Sequence, residues 1–342
     1  MTRARRTAIV LIALVVVPFV VLASGAIWFW WQLDPPGGPG AKVELQIVQG
    51  WGVPRIGDEL THAGVIDSSL VFNIYARLNG DSSFKPGTYD LRKHMGVSGA
   101  VKALKAGPRI DYTMVTIPPG LWLKEIAQRV GKIPGKRADA FLQASMNNAV
   151  RSAFEPDGID TLEGLLWPDT YKISAEEDEI QIVKTMESTF EKKAGTLGLL
   201  QANVQGHGPY DIIKIASLVE AEAKTAADRP LIASVIYNRL AQGMKLQIDA
   251  TLIYARGNPK NRTLSDADKA IDSPWNTYKI DGLPITPICA VSEASLRAAL
   301  APAQTDYLYY VVIDKKGDHA FGRTLAEQQQ NIDRARQAGV LP

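Results

Sequence analysis

The chain has 342 residues, 46% of them hydrophobic, and 38 Lys and Arg against 36 Asp and Glu leave a net charge of +2. That is enough apolar side chain to core one large or two modest domains, and it excludes a disordered chain. Arg3, Arg5 and Arg6 alone exceed the positive surplus, so nucleic acid is not an expected partner, while a single Cys289 and four scattered histidines exclude a disulfide framework and a His/Cys metal cluster.

In chain order, residues 8–31 carry no charge over 24 positions. At about 1.5 Å per residue that run exceeds the roughly 30 Å hydrocarbon core of a bilayer. It is also longer than the roughly 7–15 residue apolar region of a cleaved signal, and it closes on Trp28, Phe29, Trp30 and Trp31 rather than on small residues. The segment 8–32 is therefore predicted to be an uncleaved transmembrane helix. Arginines precede it and Asp34 follows it, so residues 1–7 are expected in the cytoplasm and the remainder outside, held by a single pass.

Residues 33–42, rich in Pro and Gly, read as a spacer lifting the next domain off the bilayer. Two segments then share a pattern at an offset of 70: Ile47, Gly50, Val53, Ile56 and Leu60 recur as Ile117, Gly120, Leu123, Ile126 and Val130. Each predicts a strand, a turn and an amphipathic helix. The first unit continues through a second helical stretch, 68–78, to a returning strand near 84–91, and this order resembles a LysM-like glycan-binding module over 43–112. From 113 to 342 helical and extended signals alternate. Ser174 before an acidic run predicts a helix N-cap, and 307–313 has the composition of a buried strand whose partner ends at Phe321. The expected class is α+β: one transmembrane helix, a small βααβ module and a larger mixed α/β domain.

The templates for a nucleophile elbow, a phosphate loop, a dinucleotide fingerprint and a zinc protease are missing. The one Ser-x-x-Lys, Ser82 to Lys85, stands on a turn without the companion motifs of penicillin-binding enzymes. The informative stretch is 210–224, where Ile212, Ile213, Ile215, Ala216 and Val219 form one apolar stripe at helical spacing. Glu220 and Glu222 fall on opposite borders of that stripe, so they cannot serve one site together. A border carboxylate half shielded by apolar neighbours suits a general acid. Two solvated glutamates at a helix end fit the periodicity as well, which gives no way to choose between them.

At these residues the sequence resembles the endolytic murein transglycosylases of the MltG (YceG-like) family. The resemblance runs through 161–171 with Glu163-Gly164 and Trp167-Pro168-Asp169, through 215–222 with its Glu-x-Glu pair, through 235–240 with Asn238-Arg239, through 243–254 with Gln247, Asp249 and Tyr254, and through 273–284 with Asn276-Thr277-Tyr278. It departs at Ile248 and Ala250, at Ile285, at Val291-Ser292 where the family usually has Pro-Gly, and at Ala320 and Gln328. The resemblance implies that Glu220 is catalytic and that Glu163, Asn238, Arg239, Gln247, Asp249, Tyr254, Asn276, Thr277 and Tyr278 are candidate sugar contacts, with capping of loop backbone the other reading for Asn238-Arg239 and 276–278. It implies glycan strands of peptidoglycan as substrate, peptidoglycan synthases as neighbours, no metal and no cofactor. One carboxylate suffices for such a lyase, because a hydroxyl of the substrate takes the place of water. The alternative is a glycan-binding scaffold of the cell-wall machinery without catalysis.

Overall fold

The computed structural model describes residues 3–259 and 263–341. Two compact units divide between Asp111 and Tyr112. The first contains α1 (Arg3–Leu33), β1 (Lys42–Ile47), α2 (Val53–His62), α3 (Ser69–Leu78), β2 (Gly87–Arg92) and α4 (Gly96–Ala106). β1 and β2 pair antiparallel, with Lys42 opposite Arg92 and Ile47 opposite Gly87. Alternation along the ribbon sends Tyr89 and Leu91 inward, where Ile56 and Leu60 of α2, Val71 and Phe72 of α3, and Val97, Val101 and Leu104 of α4 complete a core. The Ser68 hydroxyl starts α3 by accepting the Val71 N–H. The strand-helix-helix-strand order is present, and α4 extends it beyond the four expected elements.

Within α1, Val16–Leu33 is long and apolar enough to cross a membrane. The segment after it is no free spacer. Phe29 and Leu33 pack on the core of this unit, and the Gly40 N–H donates to Lys93 O at 2.7 Å. Gly96 permits the approach: its φ is +76°, and a Cβ there would lie 2.5 Å from Leu33 O and from Pro35 Cδ.

The second unit runs β3 (Tyr112–Thr116), α5 (Leu123–Val130), α6 (Ala138–Ala144), β4 (Thr170–Ser174), α7 (Glu179–Thr196), α8 (Pro209–Glu222), α9 (Asp228–Ala241), α10 (Asp249–Ala255), α11 (Asp266–Lys269), α12 (Glu293–Leu300), β5 (Tyr309–Val312), β6 (His319–Gly322) and α13 (Leu325–Gln337). Its sheets are two antiparallel ribbons, β3 with β4 and β5 with β6. Ser174 is paired with Tyr112 at the end of β4, and the helix that follows starts later, where Asp178 and Gln181 form a reciprocal capping box. The expected cap at Ser174 is thus replaced by a stronger signal four residues on. β5 is half-buried along its length, not buried, because a two-stranded ribbon has only one face packed, here by α13 and α9.

α8 holds this unit together. Pro209 stands in its first turn, Asp211 adds a favourable charge there, and Ala223 ends it by turning to extended backbone. Ile212, Ile213, Ile215, Ala216, Leu218 and Val219 are all fully buried. The helix is enclosed nearly all round by α9, α10 and α12, a wider burial than the single stripe predicts. Gly164 closes the packing beside its carboxyl end. Its φ is +77°, and a Cβ would lie 2.3 Å from Pro287 Cβ and 3.3 Å from Cys289 O. Gly164→Ala is expected to cost about 3 kcal/mol, through positive-φ strain and overpacking together. Chemical denaturation measures it directly, and a shift below about 1 kcal/mol would contradict this packing.

Candidate active site

The last turn of α8 delivers its two glutamates to different surroundings. Glu220, half-buried, faces a cleft of about 270 Å³ lined by Pro119, Leu121, Trp122, Glu125, Lys224, Ala250, Ile288 and Cys289. The Ser292 N–H donates to its Oε2 at 3.1 Å, and the Ser292 hydroxyl donates to the same oxygen. Glu125 shares the cleft but is spent as a helix cap, accepting the Trp122 N–H at 3.1 Å. Burial pushes the Cys289 thiol well above its ordinary range, so it stays neutral, within reach of Ser217 O at 3.5 Å. The cleft therefore holds two carboxylates, Glu125 at the start of α5 and Glu220 bonded to Ser292, with Trp122 in its lining.

Glu222 belongs to a second pocket, of about 380 Å³, with Arg239, Gln247, Asp249, Tyr278, Tyr310, His319 and Gln328. Tyr310 donates to Glu222 Oε2 at 3.2 Å, and Tyr278 to Asp249 Oδ1 at 2.6 Å. Burial first, and the charge of Asp249 second, raise Glu222 above the usual carboxylate range. His319 is held from behind by Asp228, which accepts both its Nδ1 at 2.9 Å and its backbone N–H at 3.2 Å.

Of the residues the sequence singles out, Arg239, Gln247, Asp249 and Tyr278 are brought together in that second pocket and Glu220 is not among them. Arg239 is also structural. Its Nε donates to Leu308 O at 2.6 Å, its Nη1 donates to Leu246 O at 2.7 Å, and it stacks on Tyr309. Burial lowers its pKa. Four others turn inward. The Asn238 amide donates to Thr305 O and Tyr307 O at 2.8 and 2.9 Å, and the Asn276 amide to Lys269 O and Ile271 O at 3.0 and 2.7 Å. Thr277, fully buried, accepts the Ile248 N–H at 2.9 Å. Glu163 is 3% exposed, and its carboxylate receives the Leu123 N–H at the start of α5 and the Tyr254 hydroxyl at 2.9 Å.

These four serve as loop and helix clamps: Glu163, Asn276 and Thr277 are buried and have to spend their hydrogen bonds inside the protein, and the half-buried Asn238 spends its amide on two backbone carbonyls. Tyr254 stands with them, its ring between Trp122 at 4.9 Å and Trp275 at 5.5 Å. Sequence reasoning missed Trp122, Lys224, Ser292 and Tyr310. The aromatic just before α5 was a readable signal, whereas Ser292 stood out only as a departure from the family pattern, 72 residues from its partner.

The cleft with Glu220 and the polar pocket with Glu222 thus open from the same end of α8. Residues 45–334 match the model of the YceG-like family. The chain is 32% identical over 331 residues to an endolytic murein transglycosylase of Bacillus subtilis, covering 91% of this chain and 90% of that one. It is 29% identical over 350 residues to an endolytic murein transglycosylase of Streptococcus pneumoniae strain R6, covering 92% of this chain and 63% of that one. A crystal structure of a YceG-like protein from Listeria monocytogenes superposes with a TM-score of 0.58 at 30% identity, over 85% of this chain and 99% of the other. The chain belongs to the YceG-like family. With that membership it is an enzyme, of the lytic transglycosylase class.

Glu163 makes the packing of this site sensitive to pH. Burial raises it to about 7, with the Leu123 N–H and the Tyr254 hydroxyl pulling the other way. Between about pH 4.5 and 7 the folded state holds a proton that the unfolded chain has lost, so stability falls as pH rises through that window and levels off above it. Glu163→Gln mimics the protonated form. Unfolding free energies at pH 5 and pH 8 should therefore differ by about 3 kcal/mol less in the variant than in the parent. Equal pH dependence in both would show that Glu163 ionises normally. Glu187, raised to about 7 by burial as well, acts with the same sign in both proteins and cancels in the comparison.

Proposed function

We propose that the protein cuts peptidoglycan glycan strands internally with Glu220 as its acid and base, leaving 1,6-anhydroMurNAc ends, from an anchor in the inner membrane. The observation that carries this reading is the half-buried Glu220 carboxylate in the cleft beside Trp122, held by Ser292 through one of its two oxygens. A hydrolase needs a second carboxylate to activate water or attack the sugar. A lytic transglycosylase does not. Glu220 protonates the oxygen joining MurNAc to GlcNAc as the C1–O bond breaks, with the acetamido oxygen of the same sugar assisting at C1. The carboxylate so formed takes the proton of the C6 hydroxyl, whose oxygen closes onto C1. The acid is regenerated and no water enters.

The second pocket suits the neighbouring sugars. Gln247 and Asp249 are exposed there, and Tyr278 offers a hydroxyl and a ring. Arg239 adds charge, while Asn238, Asn276, Thr277, Glu163 and Tyr254 hold the loops that carry these groups. The first unit, with its LysM-like order of elements, is assigned to binding the strand. The apolar part of α1, with arginines at the start of the helix, is assigned to the anchor, with the N-terminus in the cytoplasm.

Two experiments test the assignment. Glu220→Gln keeps the size of the side chain but cannot give and recover a proton, so release of anhydro-ended fragments from purified sacculi, followed by mass spectrometry, should fall by about 10² or more. Glu222→Gln should lose far less. Equal losses would indicate damage to α8 rather than chemistry at Glu220, and a fully active Glu220→Gln would leave a glycan-binding scaffold as the better reading. For topology, a periplasm-dependent reporter fused after Pro342 should be active. Cytoplasmic activity of the complementary reporter would refute both anchor orientation and substrate.

A further inference from the structure

Glu220 is held by one oxygen only. Its Oε2 accepts twice from a single residue, the backbone N–H of Ser292 at 3.1 Å and the Ser292 hydroxyl. A serine has one hydroxyl proton. Ser292 is also the N-cap of α12, its Oγ accepting the Ser295 N–H at 3.2 Å. With that lone pair directed at Ser295, the proton of the hydroxyl is free to lie toward Glu220. No donor among the described residues bonds Oε1, and Glu125, Lys224 and Cys289, which line the same cleft, do not bond the carboxylate.

A carboxylic acid places its own proton on the oxygen that has no donor aimed at it, since a proton on the other would confront those donors and waste their hydrogen bonds. We propose that Ser292 is a positioning residue of the reaction: its hydroxyl and amide reserve Oε2, so that Oε1 is the oxygen that delivers the proton to the glycosidic bond and recovers one from the C6 hydroxyl. The same two donors steady the carboxylate in the interval between the two transfers, at the N-terminus of α12 where a negative charge is favoured. The proposal rests on Glu220 being the acid and base.

The test compares Ser292→Gly, Ser292→Thr and Glu220→Gln in the full chain, with cleavage rates measured over a range of isolated glycan-strand concentrations. Glycine leaves the backbone N–H in place and is tolerated at an N-cap, so it removes little besides the hydroxyl. Ser292→Gly should lower kcat about tenfold and leave KM within about twofold, because the lost contact acts on the proton-transfer step and not on strand binding. Ser292→Thr, which restores hydroxyl and cap together, should return kcat to within about threefold of the parent. Thermal melts of both variants should lie close to the parent. An active Glu220→Gln would remove the acid-base reading and this proposal with it. An inactive Glu220→Gln beside a Ser292→Gly of parental kcat, or a Ser292→Thr as slow as the glycine variant, would overturn the role of Ser292 alone.

Discussion

The second unit depends on the burial of α8. A helix packed by α9, α10 and α12 has little free surface, with Lys214 the partly exposed charge along its middle. At the carboxyl end the chain turns extended at Ala223, and after the buried stretch Ile215–Val219 the last helical turn reaches solvent again. Glu220 and Glu222 stand in that turn, about 200° apart around the axis. The helix therefore separates them by geometry, one toward Trp122 and Ser292, the other toward Tyr310 and Asp249. Because the backbone that carries them is locked on all sides, their placement needs no support from mobile loops.

Around this helix the site is built by polar groups that do not face the cleft. Asn238 clamps the approach to β5, Asn276 clamps the chain leaving α11, Thr277 clamps the loop ahead of α10, and Glu163 ties the start of α5 to Tyr254. Each spends its hydrogen bonds on backbone or on a neighbouring side chain. An unpaired donor or acceptor at the same depth would cost about 1–3 kcal/mol, so exchanging any of them for an apolar residue strands its partners as well. Chemical groups at the surface are few by comparison, and the network behind them is long. A motif rich in Asn, Thr and Glu thus reports how the site is held at least as much as what it touches.

The family match and the internal geometry answer different questions. The match extends over 45–334 and makes the chain a lytic transglycosylase. The geometry places Glu125 at the start of α5 and gives Glu222 a pocket different from that of Glu220. It also separates the residues of the shared motifs into those that reach the pockets and those that hold the loops in place.

The sequence by itself determined what depends on neighbours a few residues apart. The apolar run of α1, the strand-turn-helix pattern at 47–60 and 117–130, the helix carrying Glu220 and Glu222, and their emergence on opposite borders all follow from local periodicity and charge. Where two local signals competed, the reading failed: Ser174 closes a strand because Asp178 offers the better cap to α7. What only the tertiary structure decided concerns partners far apart in the chain. Ser292 meets Glu220 across 72 residues, Tyr254 meets Glu163 across 91, and Asn238 reaches Tyr307 across 69. Hydropathy and spacing describe which face of an element is apolar. They do not say which polar atom will be opposite it once the elements pack, and that encounter separates a sugar-facing side chain from a buried clamp.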